Sequence, residues 1–389
     1  MEAREFRQHL TETIIPFWNA LKDDENGGFY GYADGKAVPD QKADKGVILN
    51  SRILWFYSSA YTLLKEETLL SMATHAYRFL RDYCLDRENG GVYWSLHYDG
   101  SVSDSTKHTY NQAFAIYALS AYYEASGDEE AKELAFGLYH LVEETCCDDN
   151  GYLEAFDRYF QPAENDKLSE NGVMATRTMN TLLHVLEAYS KLYEVAPRED
   201  VKTALVFILK RFKEIIYNPN RKICEVFFDE DYHTLIDLES YGHDIESSWL
   251  IDRACEVLKD DAIQEEMKEV IDGLAEGALL HAMDTVNGGM NNECEKGVVD
   301  TKKVWWVQAE AVVGFYNEYM RNPGDTRYEK TAEEIWSFIQ NYVVDKTYGE
   351  WIENIYDIHQ IDDSQALAHP WKCPYHNGRM CMEMVKRLS

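Results

Sequence analysis

Histidine and glutamate side chains stand at the starts of two helical segments, where they could transfer protons. His243 and Glu246 lie three residues apart and share one face of a predicted helix, and His376 stands shortly before the last helical segment. The positive end of a helix dipole disfavours imidazolium, so both rings stay available as bases near neutral pH. For His243 and Glu246 the alternative is an N-terminal capping arrangement. The pattern predicts general acid–base chemistry.

Further polar residues interrupt segments that are otherwise apolar. Burying such groups costs free energy unless they are paired or used. Arg52 lies in the first of these segments, and Tyr110 lies at the start of the second. In the third, Asn180 and His184 share one helix face. For His184, as for His108, a hydrogen-bonded place in the core and a functional role both stay open.

Aromatic side chains beside these polar groups are typical of a carbohydrate site. Trp249, Trp306, Trp371 and Tyr110 all lie close to them in the sequence. The C–H groups of a sugar ring pack on an aromatic face, while its hydroxyls meet Asn, Arg and Glu side chains such as Glu310. Core packing is the simpler explanation for any single tryptophan. Four rings at one end of the molecule favour a polar ligand with aromatic walls.

The sequence contains none of the usual motifs for a metal or a cofactor. It has no H-x-x-x-H, and no second helical segment carries the Glu-x-x-His that would complete a carboxylate-bridged metal bundle with His243 and Glu246. It also has no Walker loop, no G-x-G-x-x-G and no G-x-S-x-G. We therefore expect no metal, and the motifs give no support for a phosphate or dinucleotide site.

The composition limits the possible partners. With 38 basic and 69 acidic residues, the chain carries a formal net charge of −31, which argues against nucleic acid and anionic membranes as partners. No apolar run approaches the ~18 residues of a spanning helix, and the charged N-terminus does not resemble a secretion signal. The eight cysteines form no C-x-x-C pair, as expected for buried thiols in a reducing compartment. We expect a cytoplasmic monomer that binds a small molecule.

One short turn signature recurs along the chain. Its copies begin at Asn26, Asn89, Asn150, Asn220, Asn287 and Tyr348. Where the copies are regular, their glycines are 61 to 63 residues apart, and the degenerate copy at Asn220 lies inside a double-length interval. A fixed period of this kind indicates one supersecondary unit that is repeated and stacked on its neighbours.

Each unit combines a segment with one charged face and a segment that is apolar nearly all round. The apolar segments are 46–64, 109–125, 175–194, 244–258, 304–320 and 379–388. A helix that is apolar on all sides is buried on all sides. Six buried helices that alternate with six half-exposed ones predict an all-α fold: a single (α/α)6 barrel over residues 1–389, with short β-hairpins in the mouth loops. An open helical solenoid is the alternative.

Several of these segments strongly resemble those of the cellobiose 2-epimerases, a branch of the N-acylglucosamine 2-epimerase superfamily of (α/α)6 barrels. The segments are ADKGVIL at 43–49, SRILW at 51–55, SYGHDIE at 240–246, VWWVQAE at 304–310 and WKCPYHNGR at 371–379. The resemblance runs from about residue 17 to residue 384, and the last segment is the most specific to this branch.

The resemblance implies an isomerase that acts without a cofactor on the reducing-end glucose of β-1,4-linked disaccharides. Cellobiose would give glucosyl-mannose and lactose would give epilactose, by removal and return of the C2 proton through a cis-enediolate. His243 and His376 would be the proton-transferring pair. His184 would assist ring opening, and Arg52 would stabilise the oxyanion.

The resemblance also implies how the sugar is bound. Asn180 and Tyr110 would assist Arg52 around the reacting oxygens, and Glu310, like Glu246, would orient an imidazole or bind a hydroxyl. Trp306 and Trp371 would hold the two sugar rings, with Trp249 as a supporting wall.

Three other functions fit parts of the pattern. A glycoside hydrolase on the same barrel would use two carboxylates astride the bond, and Glu246 and Glu310 could be that pair, but the two histidines would then have no role. An aldose–ketose isomerase would use the same enediolate and return the proton elsewhere. A sugar-binding barrel without catalysis would tolerate the loss of either histidine.

Overall fold

The computed structural model describes residues 1–168 and 171–389, and most of the chain is helical. The helices are α1 (Ala3–His9), α2 (Ile15–Ala20), α3 (Val47–Leu64), α4 (Glu67–Phe79), α5 (Thr109–Ser126), α6 (Glu129–Thr145), α7 (Met179–Val195), α8 (Glu199–Arg211), α9 (Tyr241–Leu258), α10 (Asp261–His281), α11 (Trp305–Arg321), α12 (Thr326–Phe338) and α13 (His376–Arg387). Single π-helical turns at Leu10–Ile14, Leu80–Cys84, Phe212–Ile216 and Ile339–Val343 extend α1, α4, α8 and α12. None of the helices in the described ranges is both long and apolar enough to cross a membrane.

One set of helices is buried on nearly all sides, as the apolar segments predict. These buried helices are α3, α5, α7, α9, α11 and α13. Each packs on the next in this order, and α13 packs in turn on α3. The sequence pattern placed the start of α13 too late, because its first residues, His376 to Gly378, are polar or small and yet are buried.

The second set covers the first. Helices α4, α6, α8, α10 and α12 each pack on the buried helix that precedes them, and α1 packs on α13. In α6, for example, Asp128 caps the first turn and Ala131, Ala135, Leu138 and Val142 form the buried stripe. The N-terminal segment therefore completes the unit that the C-terminal helix begins.

Short strands connect consecutive units. The strands are β1 (Lys45–Gly46), β2 (Ser95–Leu96), β3 (Val102–Asp104), β4 (Lys107–His108), β5 (Ala155–Phe156), β6 (Arg177–Thr178), β7 (Tyr217–Asn218), β8 (Ile223–Cys224), β9 (Phe227–Phe228), β10 (Leu238–Ser240), β11 (Glu293–Glu295), β12 (Val298–Asp300), β13 (Lys303–Val304) and β14 (Asn354–Ile355). The pairs β2–β3, β7–β8 and β11–β12 are hairpins, as predicted. The pairs β1–β2, β4–β5, β6–β9, β10–β11 and β13–β14 instead join the strand before a buried helix to the following unit.

The recurring turns are fixed to the buried helices by one repeated contact. In α3, α5, α9 and α11 the fourth residue accepts a hydrogen bond from the backbone N–H that follows the turn, an arrangement that we call the turn brace. The braces join Asn50 to Phe29 (3.0 Å), Gln112 to Val92 (2.6 Å), Asp244 to Cys224 (2.7 Å) and Gln308 to Met290 (2.8 Å). Helix α7 reverses the contact, because Glu154 on the loop accepts from the backbone and hydroxyl of Thr178. The braces explain part of the buried polar content of these helices.

We predict that removal of one brace destabilises the fold. Gln308 also donates to the carbonyl of Met290 at 2.8 Å, so Gln308→Met leaves two buried backbone groups without that partner. The free energy of unfolding should fall by about 1–3 kcal/mol in urea titrations. Gln360→Met, on an exposed loop, is the matched control. Equal unfolding midpoints for the two variants would show that the brace contributes nothing to stability.

Candidate active site

The N-terminal parts of the buried helices surround a cavity of about 300 Å³. Helices α3, α5, α7, α9, α11 and α13 each contribute to its wall. The structure brings together most of the residues that the sequence singled out. Those that line the cavity are Arg52, Tyr110, Asn180, His184, His243, Glu246, Trp306, Trp371 and His376.

His376 is the first residue of α13 and is held by a carboxylate behind it. Its Nδ1 lies 2.7 Å from Oε1 of Glu310, whose Oε2 accepts from the indole nitrogen of Trp249 at 3.0 Å. Burial lowers the pKa of His376 well below its usual value, and the nearby positive charges of Arg379 and Arg52 lower it further. The ring is therefore a neutral base at neutral pH, with Nε2 as the nitrogen left for chemistry.

His243 is held in a different way. Its Nδ1 lies 2.7 Å from the hydroxyl oxygen of Ser240 at the end of β10. Burial is the main cause that lowers the pKa of His243 to about 3. The ring of Trp306 packs against both histidines, with centroids 4.8 Å from His243 and 5.4 Å from His376. One indole thus touches both candidate proton-transfer groups.

A buried arginine ties together three glutamates from three helices. Nη1 of Arg379 in α13 bonds Glu187 of α7, and Nη2 bonds Glu246 of α9 and Glu310 of α11, the last at 2.7 Å. The guanidinium also lies 4.8 Å from the ring centre of Trp249. This arginine fixes Glu187 and Glu310, which in turn hold His184 and His376.

One cation among three carboxylates leaves the carboxylates with unequal affinities for protons. Burial alone would raise the pKa of Glu187, but the charge of Arg379 and the hydrogen bond from His184 lower it to about 2. Burial and the charge of Glu310 raise the pKa of Glu246 to about 8, and burial raises that of Glu310. Oε1 of Glu246 bonds Arg379, whereas Oε2 has no hydrogen-bond partner among the described residues. Oε2 is therefore the place for a proton.

The opposite wall carries positive charge and hydroxyl groups. Nη2 of Arg52 donates to the hydroxyl of Tyr110 at 2.6 Å, and its guanidinium lies 4.1 Å from the ring centre of Phe114. His184 contacts Tyr110 edge to face at 5.1 Å, and its Nδ1 lies 2.9 Å from Glu187. Burial lowers the pKa of His184. The wall can therefore bind a sugar oxygen with a fixed cation beside it.

Two expectations from the sequence need correction. Glu246 does not orient His243, because its carboxylate bonds Arg379 and Ser240 takes the ring nitrogen. Trp249 is not a wall of the cavity, since it is buried behind Glu310. Glu310 takes the first of its two expected roles, because its carboxylate holds Nδ1 of His376 from behind, and it is not among the described residues that line the cavity.

Sequence reasoning missed Arg379 and Glu187 as site residues. Glu187 stands three residues after His184, the spacing of one helix face, and Arg379 lies in the segment that also holds His376. The sequence contained both signals, but it did not show that Glu187 in α7 and Arg379 in α13 are in contact. Ser240 and Glu353, which also contribute to the cavity, carried no signal beyond their position near β-strands.

The structure also bears on the metal question. Ligand-type atoms of Glu246, Glu310 and His376 lie within 4.8 Å of one another, a spacing that suits a cation. The two carboxylates, however, already bind the guanidinium of Arg379, and Nδ1 of His376 bonds Glu310. The cluster is therefore built around an arginine as its cation.

Comparisons with known proteins identify relatives of the whole chain. The family model for N-acylglucosamine 2-epimerase matches residues 27–376. A cellobiose 2-epimerase of Ruminococcus albus is 49% identical over 388 residues, which cover 100% of this chain and 99% of the relative. A solved structure of a sugar epimerase from a ruminal bacterium superposes with a TM-score of 0.97 at 48% identity, covering 100% of this chain and 99% of the other. A solved cellobiose 2-epimerase of Bacillus thermoamylovorans gives 0.95 at 41%, covering 99% of each.

We predict that Arg379→Met strongly destabilises the protein, because three buried carboxylates lose their counter-charge. The free energy of unfolding should fall by about 3–5 kcal/mol. Without the arginine the carboxylates bind protons more tightly in the folded state, so the loss should be smaller at low pH and should grow as pH rises.

Urea titrations of Arg379→Met and the unmodified chain at two pH values measure this difference. Arg327→Met, which removes an arginine that pairs with Asp325 on the surface, is the control. A loss for Arg379→Met that matches the control, or one that does not change with pH, would contradict the prediction.

Proposed function

Because the chain belongs to the N-acylglucosamine 2-epimerase family, we propose that it epimerises C2 of the reducing-end glucose in β-1,4-linked disaccharides. The chain is an epimerase of the isomerase class. Its substrates are cellobiose, which gives glucosyl-mannose, and lactose, which gives epilactose. The observation that carries the mechanism is the placement of His243 and His376 around Trp306 in one cavity.

The two histidines exchange the C2 proton through a cis-enediolate. After ring opening, one neutral imidazole removes the proton from C2, and the other returns a proton to the opposite face. Both rings support this role because Nδ1 is held, by Glu310 or by Ser240, and Nε2 remains for transfer. Side chains supply every proton, so the reaction needs no cofactor.

The protons balance when ring opening charges one histidine. Ring opening takes a proton from O1 and gives one to O5. Glu246, with a pKa raised to about 8, is in its acid form at neutral pH and supplies the proton for O5. A histidine that accepts the O1 proton becomes imidazolium and is then the acid that protonates C2. His184 assists this step from the opposite wall.

Charge that develops on O1 and O2 needs a fixed cation. Arg52 provides it, since its guanidinium is held by Tyr110 and packs on aromatic rings. Asn180 lines the cavity with an Oδ1 that has no hydrogen-bond partner within the described residues, and it is suited to a sugar hydroxyl.

Two aromatic platforms support a disaccharide as the substrate. Trp306 lies between the histidines and serves the reacting ring, whereas Trp371 lies at the rim and is 38% exposed. A single platform suffices for one sugar ring, so the second serves the non-reducing ring. The energy gained there helps to position C2 against the histidines.

We further infer that the buried and covering helices form one (α/α)6 barrel. Packing of α13 on α3 supports closure of the ring, which an open solenoid would lack. The pairing of α1 with α13 supports a single domain that is closed by both chain ends.

The glycoside hydrolase is the weaker alternative. Its two carboxylates must lie astride the bond, but Glu246 and Glu310 both bond the same nitrogen, Nη2, of Arg379. They therefore lie side by side on one guanidinium, with Glu310 behind the cavity surface, and the two histidines are left without a role in hydrolysis.

The test is incubation with cellobiose in deuterated water, followed by NMR of the product. Epimerisation gives a mannose-configured reducing end with deuterium at C2. Glucose as the product would indicate hydrolysis, and a ketose would indicate an aldose–ketose isomerase. Binding of cellobiose without any of these products would indicate a non-catalytic barrel.

We predict that His243→Ala and His376→Ala each lower the rate by roughly 10²–10⁴-fold, the usual contribution of a general acid or base. The fold should persist in circular dichroism, and His359→Ala on an exposed loop is the control. A rate in either variant that stays within a few-fold of the control would show that the two-histidine mechanism is wrong.

We also predict the pH dependence of kcat/KM. Activity should fall as pH rises through about 8, because Glu246 loses the proton that it donates. The fall of kcat/KM at low pH should occur below the usual histidine pKa, since His243 and His376 are still neutral at that pH. Glu246→Gln should be slower and should lack the alkaline limb. An unchanged alkaline limb in this variant would assign it to another group.

A further inference from the structure

The rim tryptophan lies on a loop that must be held in place. Trp371 stands between the last strand and α13, and its ring contacts Trp94 at 5.9 Å and Tyr110 at 6.1 Å. These contacts are loose compared with those of a core tryptophan, and more than a third of the side chain is exposed. A platform for a sugar ring has to be more rigid than these ring contacts alone make it.

His369 supplies the missing constraint. Its Nδ1 accepts the backbone N–H of Trp371 at 3.2 Å and that of Lys372 at 3.3 Å. Since both backbone groups are donors, Nδ1 carries no proton and the neutral ring carries its proton on Nε2. That nitrogen lies 3.0 Å from Oε1 of Glu353 and donates to it.

Glu353 connects this loop to the reacting end of the cavity. Its side chain forms part of the cavity wall. Its backbone carbonyl accepts the N–H of Trp305, the first residue of α11, at 2.9 Å. Helix α11 carries Trp306, the platform for the reacting ring, so the His369–Glu353 pair fixes the two platforms relative to each other.

The chain uses the same turn elsewhere with a different side chain. Oδ1 of Asp23, Asp86, Asp284 and Asp345 each accepts the backbone N–H groups two and three residues further on, and Asn218 does the same. His369 makes this turn with a ring nitrogen. An aspartate in its place would accept the same N–H groups but would repel the carboxylate of Glu353, whereas histidine offers a second nitrogen that donates to it.

We propose that His369 is a positioning residue for disaccharide recognition, which acts by holding Trp371 over the cavity and tying it to Glu353. This inference rests on the proposed function, because Trp371 matters only if a second sugar ring binds there. His369 touches no reacting atom, so its loss weakens binding of the disaccharide more than it slows the chemistry.

The test compares His369→Ala, His369→Asn, Trp371→Ala and the double variant His369→Ala/Trp371→Ala, with His359→Ala as the control. KM from epimerisation and Kd from calorimetry are both measured with cellobiose.

His369→Ala should raise both by roughly tenfold, the effect of losing an acceptor for two N–H groups, and should lower kcat by less. His369→Asn keeps the acceptor, as Asn218 shows, and should recover most of the affinity. The double variant should bind no more weakly than Trp371→Ala, because His369 acts through that ring.

Three results would overturn the inference: an unchanged KM and Kd in His369→Ala, a fall in kcat with unchanged Kd, or additive losses in the double variant. The proposed function fails separately, if the unmodified chain binds cellobiose and forms no epimer. In that case the Kd values of the variants for cellobiose still show whether His369 acts through Trp371.

Discussion

The site depends on the buried guanidinium of Arg379. Helix α13 is short, and Arg379 is the residue through which it reaches Glu187, Glu246 and Glu310 on three other helices. Glu187 and Glu310 each hold an imidazole and Glu246 holds the proton of the acid group, so the geometry of the site follows from one side chain. Such a cluster is costly to bury and is stable only when every member is paired. Arg379 therefore ties the position of α13 to the arrangement of the proposed catalytic groups.

The same cluster gives three chemically similar carboxyl groups different protonation states. Three buried glutamates share one cation, and the outcome differs with position: Glu187 stays ionised beside His184, whereas Glu246 holds a proton. The histidines, backed by a carboxylate in one case and a hydroxyl in the other, remain neutral bases. The described residues thus place an acid, two bases and a fixed cation in a single cavity. The carboxylates of the candidate metal cluster, Glu246 and Glu310, already bind Arg379.

The helices and the histidine positions could be predicted because their signals are local. Apolar segments locate α3, α5, α7, α9 and α11 to within a few residues, and the turn signature gives their order. His243 and His376 stand out as polar groups at helix starts. Contacts between distant segments could not be predicted in this way. Spacing suggested that Glu246 pairs with His243 on its own helix, but the fold offers it Arg379, a stronger partner 133 residues away. Trp249 likewise lies near the site in sequence but packs behind it.

Each turn brace joins a turn to the buried helix that follows it, so each turn is held independently of the turns in the other units. In the fourth copy of the signature the glycines are absent and Lys222 takes the left-handed conformation, with φ of 58°, yet Asp244 still accepts from the backbone of Cys224. The anchoring contact is thus present even where the turn lacks its glycines. The loops that follow these braces can therefore change in length and composition one at a time while the helices keep their positions. Changes in single loops can then alter substrate preference on an unchanged helical scaffold.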